Sequence, residues 1–341
     1  MVSGPPPSED LARHLRELLA QGRFPDTLEA YRARVGSAEA RRPETQLLAA
    51  TAATRVGDLE AATTLAAEAL ERFRGRVDDD GQMRALNLLG AISFERGELG
   101  QAVQSFDGAL SLARRLEDSL MMARLANNLA SVLHLRGDLA AAASLYRSAL
   151  TSYQRLGHRH FIAETWHNLG VTFRLVDAWT EAENAAGEAV RHAELVDEPS
   201  LLALTVSGQA EIRLERGETD LAAQGIERAA RLASEAGDEI GSAEARRLRA
   251  VLAYRRGDYA QAVTAATLAL EAGERHRSAL LRTECAATLA LATRALGRTA
   301  EAGRWREEAL KGYGRLGAEQ WRARFERDWD RAATPPRPPS A

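Results

Sequence analysis

A short turn motif recurs along the chain at a fixed spacing, and this repeat restricts the fold more than any other feature. The turn is a glycine followed in most copies by an acidic residue, and the copies lie 40 residues, or a multiple of 40, apart. They are Gly57-Asp58-Leu59, Gly97-Glu98-Leu99, Gly137-Asp138-Leu139, Gly217-Glu218-Thr219, Gly257-Asp258-Tyr259 and the weaker Gly297-Arg298-Thr299. A fixed period of about 20 to 50 residues is typical of stacked supersecondary units.

Two further sites fit the array while departing from the motif. Asp177-Ala178-Trp179 stands where the period places a turn, so the glycine is absent there but the register is kept. Gly22-Arg23-Phe24 lies 35 residues before Gly57, which predicts a shorter first unit. The sequence therefore predicts turns near residues 22, 57, 97, 137, 177, 217, 257 and 297.

Apolar residues flank each turn with helical spacing. In one unit Leu86, Leu89 and Phe94 precede the turn, and Phe106 and Leu110 follow it. Spacings of three and four residues place such side chains on one face of a helix. Each unit is therefore predicted to be two antiparallel helices. Glycine suits the turn because it accepts a positive φ, and the acidic residue can cap the second helix.

Small residues recur in two columns, one on each predicted helix of the pair. A small side chain lets two helices approach closely, and a larger one would push them apart at a cost of about 1–3 kcal/mol. The columns are Gly90, Ala130, Gly170, Ala210, Ala250 and Ala290 on the first helix, and Ala62, Ala102, Ala142, Ala182, Ala222, Ala262 and Ala302 on the second.

Composition narrows the class of protein further. Only 5% of the residues are aromatic and alanine is abundant, which favours an all-α protein. The formal net charge of -3 argues against a general polyanion binder, so no nucleic acid partner is expected. The single cysteine, Cys285, cannot form an internal disulfide or a cysteine-cluster metal site. Because neither a secretory signal nor a membrane-spanning apolar run is visible, we expect a cytoplasmic protein without membrane contact.

Three runs of residues resemble the tetratricopeptide repeat signature. They are Asn168-Leu169-Gly170, then Gly137-Asp138-Leu139 with Ala142, Tyr146 and Ala149, and then Leu89-Gly90 with Gly97, Ala102, Phe106 and Ala109. The resemblance extends from about Ser8 to Asp330. The 40-residue spacing is similar to the long-helix branch found in kinesin light chains and in sensor regions of bacterial transcription activators. It implies an all-α, right-handed superhelical solenoid of about seven helix pairs.

The two ends of the chain are predicted to differ from the solenoid, which we expect over residues 8–333. Residues 1–7 and 334–341 are proline-rich, and the sequence predicts that both segments are disordered. A last helix is predicted at about 318–331, where Trp321, Phe325 and Trp329 alternate with charged residues such as Arg324. This pattern is typical of a capping helix that covers the stack on one side and faces water on the other.

No catalytic motif accompanies the repeats. The sequence contains no phosphate-binding glycine loop ending in Lys-Ser or Lys-Thr, no His-Glu-x-x-His, and no glycine-flanked nucleophilic serine. We therefore expect a protein that is not an enzyme, with no catalytic residue and no cofactor.

The tetratricopeptide resemblance implies that the first helix of each unit lines the inner wall of a groove. Related long-repeat proteins use asparagines at the positions of Asn128 and Asn168 to hold a peptide backbone, because an amide both donates and accepts hydrogen bonds. The alternative is that these asparagines cap or bridge neighbouring helices. The predicted groove residues are Arg84, Asn87, Arg124, Asn127, Asn128, Ser131, His134, Glu164, His167, Asn168 and Arg174.

Two other clusters of residues each allow two interpretations, one as a binding site and one without a function. His160, Glu164 and His167 are spaced to share one helix face, with His158 just upstream, and such a group can bind a metal or simply face solvent. Arg246, Arg247 and Arg255 form a candidate basic patch for an acidic peptide. The alternative for these arginines is pairing with Glu211, Glu215 and Glu218 within the chain.

The sequence thus predicts a scaffold or adaptor that binds a peptide or helix of a partner protein in a groove. The second interpretation is a regulatory sensor module that responds to a peptide or ligand and acts through a separate effector protein. No feature of the sequence identifies the partner.

Overall fold

The structure, a computed structural model, describes residues 10–333. Over these residues it contains seventeen α-helices and no β-strand, which confirms the all-α prediction. The two predicted disordered ends, residues 1–7 and 334–341, lie outside the described residues. The helices are α1 Leu11–Ala20, α2 Phe24–Arg32, α3 Pro43–Arg55, α4 Leu59–Gly75, α5 Asp79–Glu95, α6 Leu99–Arg115, α7 Ser119–Arg136, α8 Leu139–Leu156, α9 Arg159–Leu175, α10 Trp179–Ala193, α11 Pro199–Glu215, α12 Thr219–Glu235, α13 Glu239–Arg255, α14 Tyr259–Arg275, α15 Ala279–Ala295, α16 Thr299–Arg315 and α17 Glu319–Ala333.

A helix ends at nearly every predicted turn in a residue with left-handed backbone. Gly57, Gly97 and their equivalents have φ between 71° and 87°. At the turn without glycine, Asp177 takes the same conformation with φ 56°, which a short polar side chain tolerates. Most turns between units use the same geometry, and one of them holds Val77 at φ 54°. A β-branched residue is strained there because its Cβ atom crowds the following carbonyl group.

The acidic residue after the turn glycine caps the next helix only in some units. Asp58 Oδ1 accepts a hydrogen bond from the Ala61 N–H group, and Asp258 Oδ1 accepts one from Gln261. Asp138, Glu98 and Glu218 make no such bond, so the capping prediction was wrong for one aspartate and for both glutamates. The glutamate side chain is one methylene longer, and these two carboxylates instead pair with Arg96 and Arg216.

The columns of small residues lie where the helices of a pair cross. Ala62 and its equivalents through Ala302 are no more than 1% exposed. A Cβ atom on Gly170 would lie 3.4 Å from the backbone oxygen of Ala182 and from the backbone nitrogen of Ala186, so α9 and α10 are in backbone contact. These contacts explain why each unit needs a small residue on both helices.

The chain divides into two compact units, Met1–Leu129 and Ala130–Ala341. In the second unit, consecutive odd-numbered helices from α9 to α15 pack against one another, whereas consecutive even-numbered helices do not pack as closely over residues 130–333. The odd-numbered helices from α9 to α15 therefore form one continuous surface. We call the surface that α9, α11, α13 and α15 form the odd-helix face. None of the described helices combines the length and hydropathy that a bilayer crossing requires.

Candidate functional site

The last helix, α17, packs on the odd-helix face of the second unit. Its Trp321 and Phe325 side chains are buried with Ala287, Ala290 and other residues of α15 and α16. The Trp321 ring also meets the edge of His134 near the end of α7, with 4.8 Å between ring centroids. The predicted capping helix thus covers the last pair and also reaches across to earlier helices of the same unit.

A network of buried charges lies beneath α17. Arg174 on α9 donates to Glu215 Oε1 over 2.6 Å and lies 3.4 Å from Glu211 Oε2, both on α11. Glu215 also accepts a hydrogen bond from Arg324 on α17. The arginine predicted to face water is therefore directed into the protein. This expectation was wrong because the α17 face that bears Arg324 lies over the acidic side chains of α11.

Arg247 on α13 extends the network across the face. It donates to Glu211 over 2.7 Å, binds Glu244, and lies 3.2 Å from Glu284 on α15. The side chains of Arg174 and Arg247 are only 6% and 5% exposed. Guanidinium groups buried this deeply are tolerated because several carboxylates pair with each of them.

The carboxylates of this network differ in their pKa values. Burial favours a higher pKa for Glu211, but the adjoining Arg174 and Arg247 guanidinium groups together hold it well below the usual range. Burial raises the pKa of Glu284 to about 7. Arg247 opposes that rise, whereas the charges of Glu211 and Glu244 add to it. Of these two carboxylates, Glu284 is therefore the one whose charge the neighbouring guanidinium groups compensate less.

Two cavities open on the odd-helix face, one on each side of the network. Both are lined by Arg174, Glu211, Arg247, Glu284 and Trp321. The first, of about 420 Å³, also contains Arg255, Arg324 and Arg331, and we call it the basic cavity. The second, of about 520 Å³, has six carboxylates and two guanidinium groups, and we call it the acidic cavity. Its carboxylates are Glu164, Glu198, Glu211, Asp238, Glu244 and Glu284.

The predicted groove residues of the first unit lie on α5 and α7. Asn128 Nδ2 donates to Asn87 Oδ1 over 3.0 Å, so this amide makes the helix-bridging contact that was the alternative to peptide binding. Arg84 pairs with Asp80 of its own helix over 2.9 Å. Asn127 is buried on α7, and Arg124 lies one turn before Asn128 on the same helix.

The predicted residues of the second unit lie in three different environments. Ser131 and His134 make contacts inside the protein, with Tyr146 Oη and Thr172 Oγ1 respectively, each over 2.9 Å. Asn168 is partly exposed on α9. Glu164, His167 and Arg174 line the acidic cavity. Three of the predicted groove residues thus line the same cavity, and their role in binding stays a prediction.

His167 lies against α11 at a position where only glycine fits. A Cβ atom on Gly208 would come within 2.6 Å of the His167 Cε1 and Nδ1 atoms. Burial lowers the pKa of His167 to about 4, and the charge of Arg174 contributes while Glu211 opposes the change. The imidazole is therefore neutral at pH 7.

The histidine cluster is only partly assembled. His160 Nδ1 lies 2.7 Å from Glu198 Oε2, and its Nε2 lies 4.0 Å from Glu164 Oε2. Between residues 10 and 333, no three histidine, cysteine or carboxylate side chains are placed to share a metal ion.

The three arginines of the candidate basic patch occupy different environments. Arg247 is in the buried network and Arg255 lines the basic cavity, whereas Arg246 is exposed elsewhere on α13. For Arg247 the intramolecular pairing with Glu211 is therefore present. Successive residues on a helix point about 100° apart, which separates Arg246 from Arg247.

Glu284 was not among the predicted site residues, and Glu244 was assigned no role in the groove. A signal for both was present, because Glu164, Glu244 and Glu284 occupy the same position of the 40-residue period. Arg324 had no such signal, since α17 stands outside the period.

Comparisons with known proteins agree with this fold. The tetratricopeptide repeat family model matches residues 81–155 and 121–194. No curated protein sequence shows significant similarity to the chain.

Three solved structures illustrate the similarity in fold. A Rap protein complexed with competence and sporulation factor is 13% identical, with 95% of this chain and 98% of that chain covered and a TM-score of 0.62. NprR in complex with its cognate peptide NprX is 12% identical, with 95% and 96% covered and a TM-score of 0.62. Aspartyl phosphate phosphatase F from Bacillus subtilis is 13% identical, with 98% and 96% covered and a TM-score of 0.56.

These identities are too low to show more than a shared fold, whereas the family match rests on the sequence itself. It confirms the resemblance drawn from the turn and the small-residue columns. The match covers residues 81–194, about a third of the chain, and the described helices form a tetratricopeptide-like solenoid.

Proposed function

We propose that this chain is a non-enzymatic adaptor that binds a peptide segment of a partner protein on the odd-helix face of the second unit. The observation that carries the proposal is the acidic cavity, which α9, α11, α13, α15 and α17 all line. A volume of about 520 Å³ lies within the range of about 300–1,000 Å³ typical of ligand sites. Of the predicted groove residues, Glu164, His167 and Arg174 are those we assign to it.

Two similar folds support a peptide as the ligand. The Rap protein and NprR described above were each crystallised with a signalling factor or cognate peptide. For this chain the same kind of ligand is a proposal. The groove asparagines Asn128 and Asn168 remain a proposal as well, with the bridge from Asn128 to Asn87 weighing toward a structural role.

The absence of catalysis is likewise proposed. Glu211 and Glu244 are engaged by guanidinium groups, and the low pKa of His167 leaves it a poor general base at pH 7. One similar fold is named a phosphatase, so this point needs an assay. A cytoplasmic location also remains a proposal.

The second candidate function is a peptide-responsive regulator that acts through a separate effector. Trp321 favours it because this side chain lines the acidic cavity and also contacts His134. A ligand that moved Trp321 would shift α17 against the rest of the unit. The adaptor and the regulator therefore share a binding site and differ in whether α17 moves.

Site-specific photo-crosslinking tests the proposed function. A photo-reactive phenylalanine replaces Leu204, at the mouth of the acidic cavity, or Leu268, an exposed leucine on α14. Each tagged full-length protein is irradiated in a lysate of its own organism, and crosslinked peptides are identified by mass spectrometry. We expect one recurrent partner segment from position 204 and none of it from position 268. Equal crosslinking from both positions would contradict the proposal.

A further inference from the structure

The mouth of the acidic cavity carries exposed aliphatic side chains. Leu204, Ile240 and Leu280 are 42%, 40% and 41% exposed, and all three line the cavity. Ile240 and Leu280 occupy equivalent positions in the first turns of α13 and α15. Single exposed leucines are ordinary on a protein surface, but several around one cavity mark a place that another molecule covers.

Negative charge remains unbalanced below these side chains. The buried network pairs four carboxylates, Glu211, Glu215, Glu244 and Glu284, with only three guanidinium groups. Glu164 and Glu198 add carboxylates near the mouth, where His160 lies 4.0 Å from Glu164 and 2.7 Å from Glu198. With the histidines neutral, the six carboxylates and two guanidinium groups of the cavity leave four negative charges in excess when Glu284 is ionised and three when it is protonated.

The chain already binds one cationic group on this face. Arg324 reaches Glu215 from α17, with Trp321 and Phe325 on either side of it in the helix, and both aromatic rings are buried. A guanidinium group flanked by apolar side chains is therefore compatible with this surface. Arg324 occupies the side that faces the basic cavity, and no arginine of α17 lines the acidic cavity.

We propose that the acidic cavity binds a peptide segment in which an arginine or lysine side chain lies next to a branched aliphatic one. The cation is directed toward Glu164, Glu244 and Glu284, and the aliphatic side chain covers Leu204, Ile240 and Leu280. This inference rests on the proposed function and specifies the chemistry of its ligand. Charge complementarity selects the cation, because an acidic peptide would add like charge to a site already in excess.

The pKa of Glu284 is consistent with such a ligand. Burial raises this pKa to about 7 in the unliganded protein, so part of the population carries a proton there near neutral pH. A bound cation would favour the ionised form and strengthen its own attraction.

A randomised hexapeptide library provides the probe. The peptides are acetylated and amidated, so that only side chains supply charge, and those retained on the immobilised full-length protein are sequenced. We expect arginine or lysine adjacent to leucine, isoleucine or valine to be enriched. The best retained peptide is then titrated against protein variants.

Matched variants identify the residues responsible. Glu164→Gln and Glu284→Gln remove one carboxylate each, and we expect the affinity for the retained peptide to fall about ten- to a hundredfold. Ile240→Ser should also weaken binding. The controls are Glu227→Gln on α12 and Leu268→Ser on α14, which are exposed and lie away from the cavity. Thermal melting of each variant shows whether it folds, and Glu164, at 40% exposure, is the safest to change.

The outcomes separate this inference from the proposed function. Retained peptides without a cation, or an affinity unchanged in both Glu164→Gln and Glu284→Gln, would overturn the inference and leave peptide binding intact. Retention of no peptide at all would overturn both.

Discussion

The His167 imidazole on α9 lies directly over Gly208 on α11, where a Cβ atom would come within 2.6 Å of the ring. Gly208 occupies the position of Asn128 and Asn168 in the 40-residue period. The replacement of an amide by glycine thus makes room for the imidazole at the wall of the acidic cavity.

Gly208→Ala should destabilise the protein by about 1–3 kcal/mol, because the ring must move or α9 and α11 must separate. Chemical denaturation measures the change. Gly187→Ala on α10 is the control, since a Cβ atom there meets nothing within 4 Å. That variant should be stabilised by about 0.5–1 kcal/mol because alanine favours a helix. Stabilisation of Gly208→Ala to the same extent would show that the packing of His167 is wrong.

The sequence predicts the repeat better than it predicts the side-chain contacts between helices, such as that of His167 with Gly208. Residues with left-handed backbone recur with the period, Asp177 among them, because stacked units must present equivalent surfaces at equal intervals. Contacts between units depend on which side chains meet across the face, as Arg247 and Glu284 do. The approach of Trp321 to His134 joins residues that no periodicity relates. It could not have been predicted from the helix pattern alone.

His134 and His167 should make the protein less stable as the pH is lowered. Burial lowers the pKa of His167 to about 4 and that of His134 to about 3, from an ordinary value of 6.5. The charge of Arg174 lowers both pKa values further, whereas the charge of Glu211 opposes the decrease at His167. Below pH 6.5 the unfolded chain therefore binds more protons than the folded one, and the free energy of unfolding falls as the pH falls.

Comparison with the double variant His134→Gln/His167→Gln isolates this effect. Between pH 6.5 and 4.5 the wild type should lose on the order of 2–4 kcal/mol more stability than the variant. Glu284 has a raised pKa and acts in the opposite direction, but it titrates in both proteins and its contribution cancels. Urea denaturation across this pH range is the measurement, and parallel curves for the two proteins would be inconsistent with neutral buried imidazoles.

The strained turn at Val77 offers a stabilising change. Val77→Gly relieves the crowding of a Cβ atom at φ 54° and should raise stability by up to about 1 kcal/mol. Val176→Gly is the matched control, because Val176 is also exposed in a turn but has an ordinary φ of -104°. We expect that variant to lose about 0.5–1 kcal/mol. Urea denaturation midpoints measure the stability of both variants. A loss of stability in Val77→Gly like that in Val176→Gly would mean that Val77 is not strained.

Arg247 should be among the residues most important for stability. Arg247→Ala leaves Glu211, Glu244 and Glu284 buried without their shared guanidinium group, and we expect a loss of about 3–5 kcal/mol. The neighbouring Arg249→Ala removes an exposed pair with Glu227 and should lose less than about 1 kcal/mol. Similar melting temperatures for the two variants would contradict the buried network.

Hydrogen exchange with and without the peptide retained from the library tests the binding face most directly. We expect slower exchange in the first two turns of α11, α13 and α15, which carry Leu204, Ile240 and Leu280, and unchanged exchange in α12, α14 and α16. Protection confined to the even-numbered helices, or to residues 10–129, would contradict the assignment of the odd-helix face of the second unit as the binding surface.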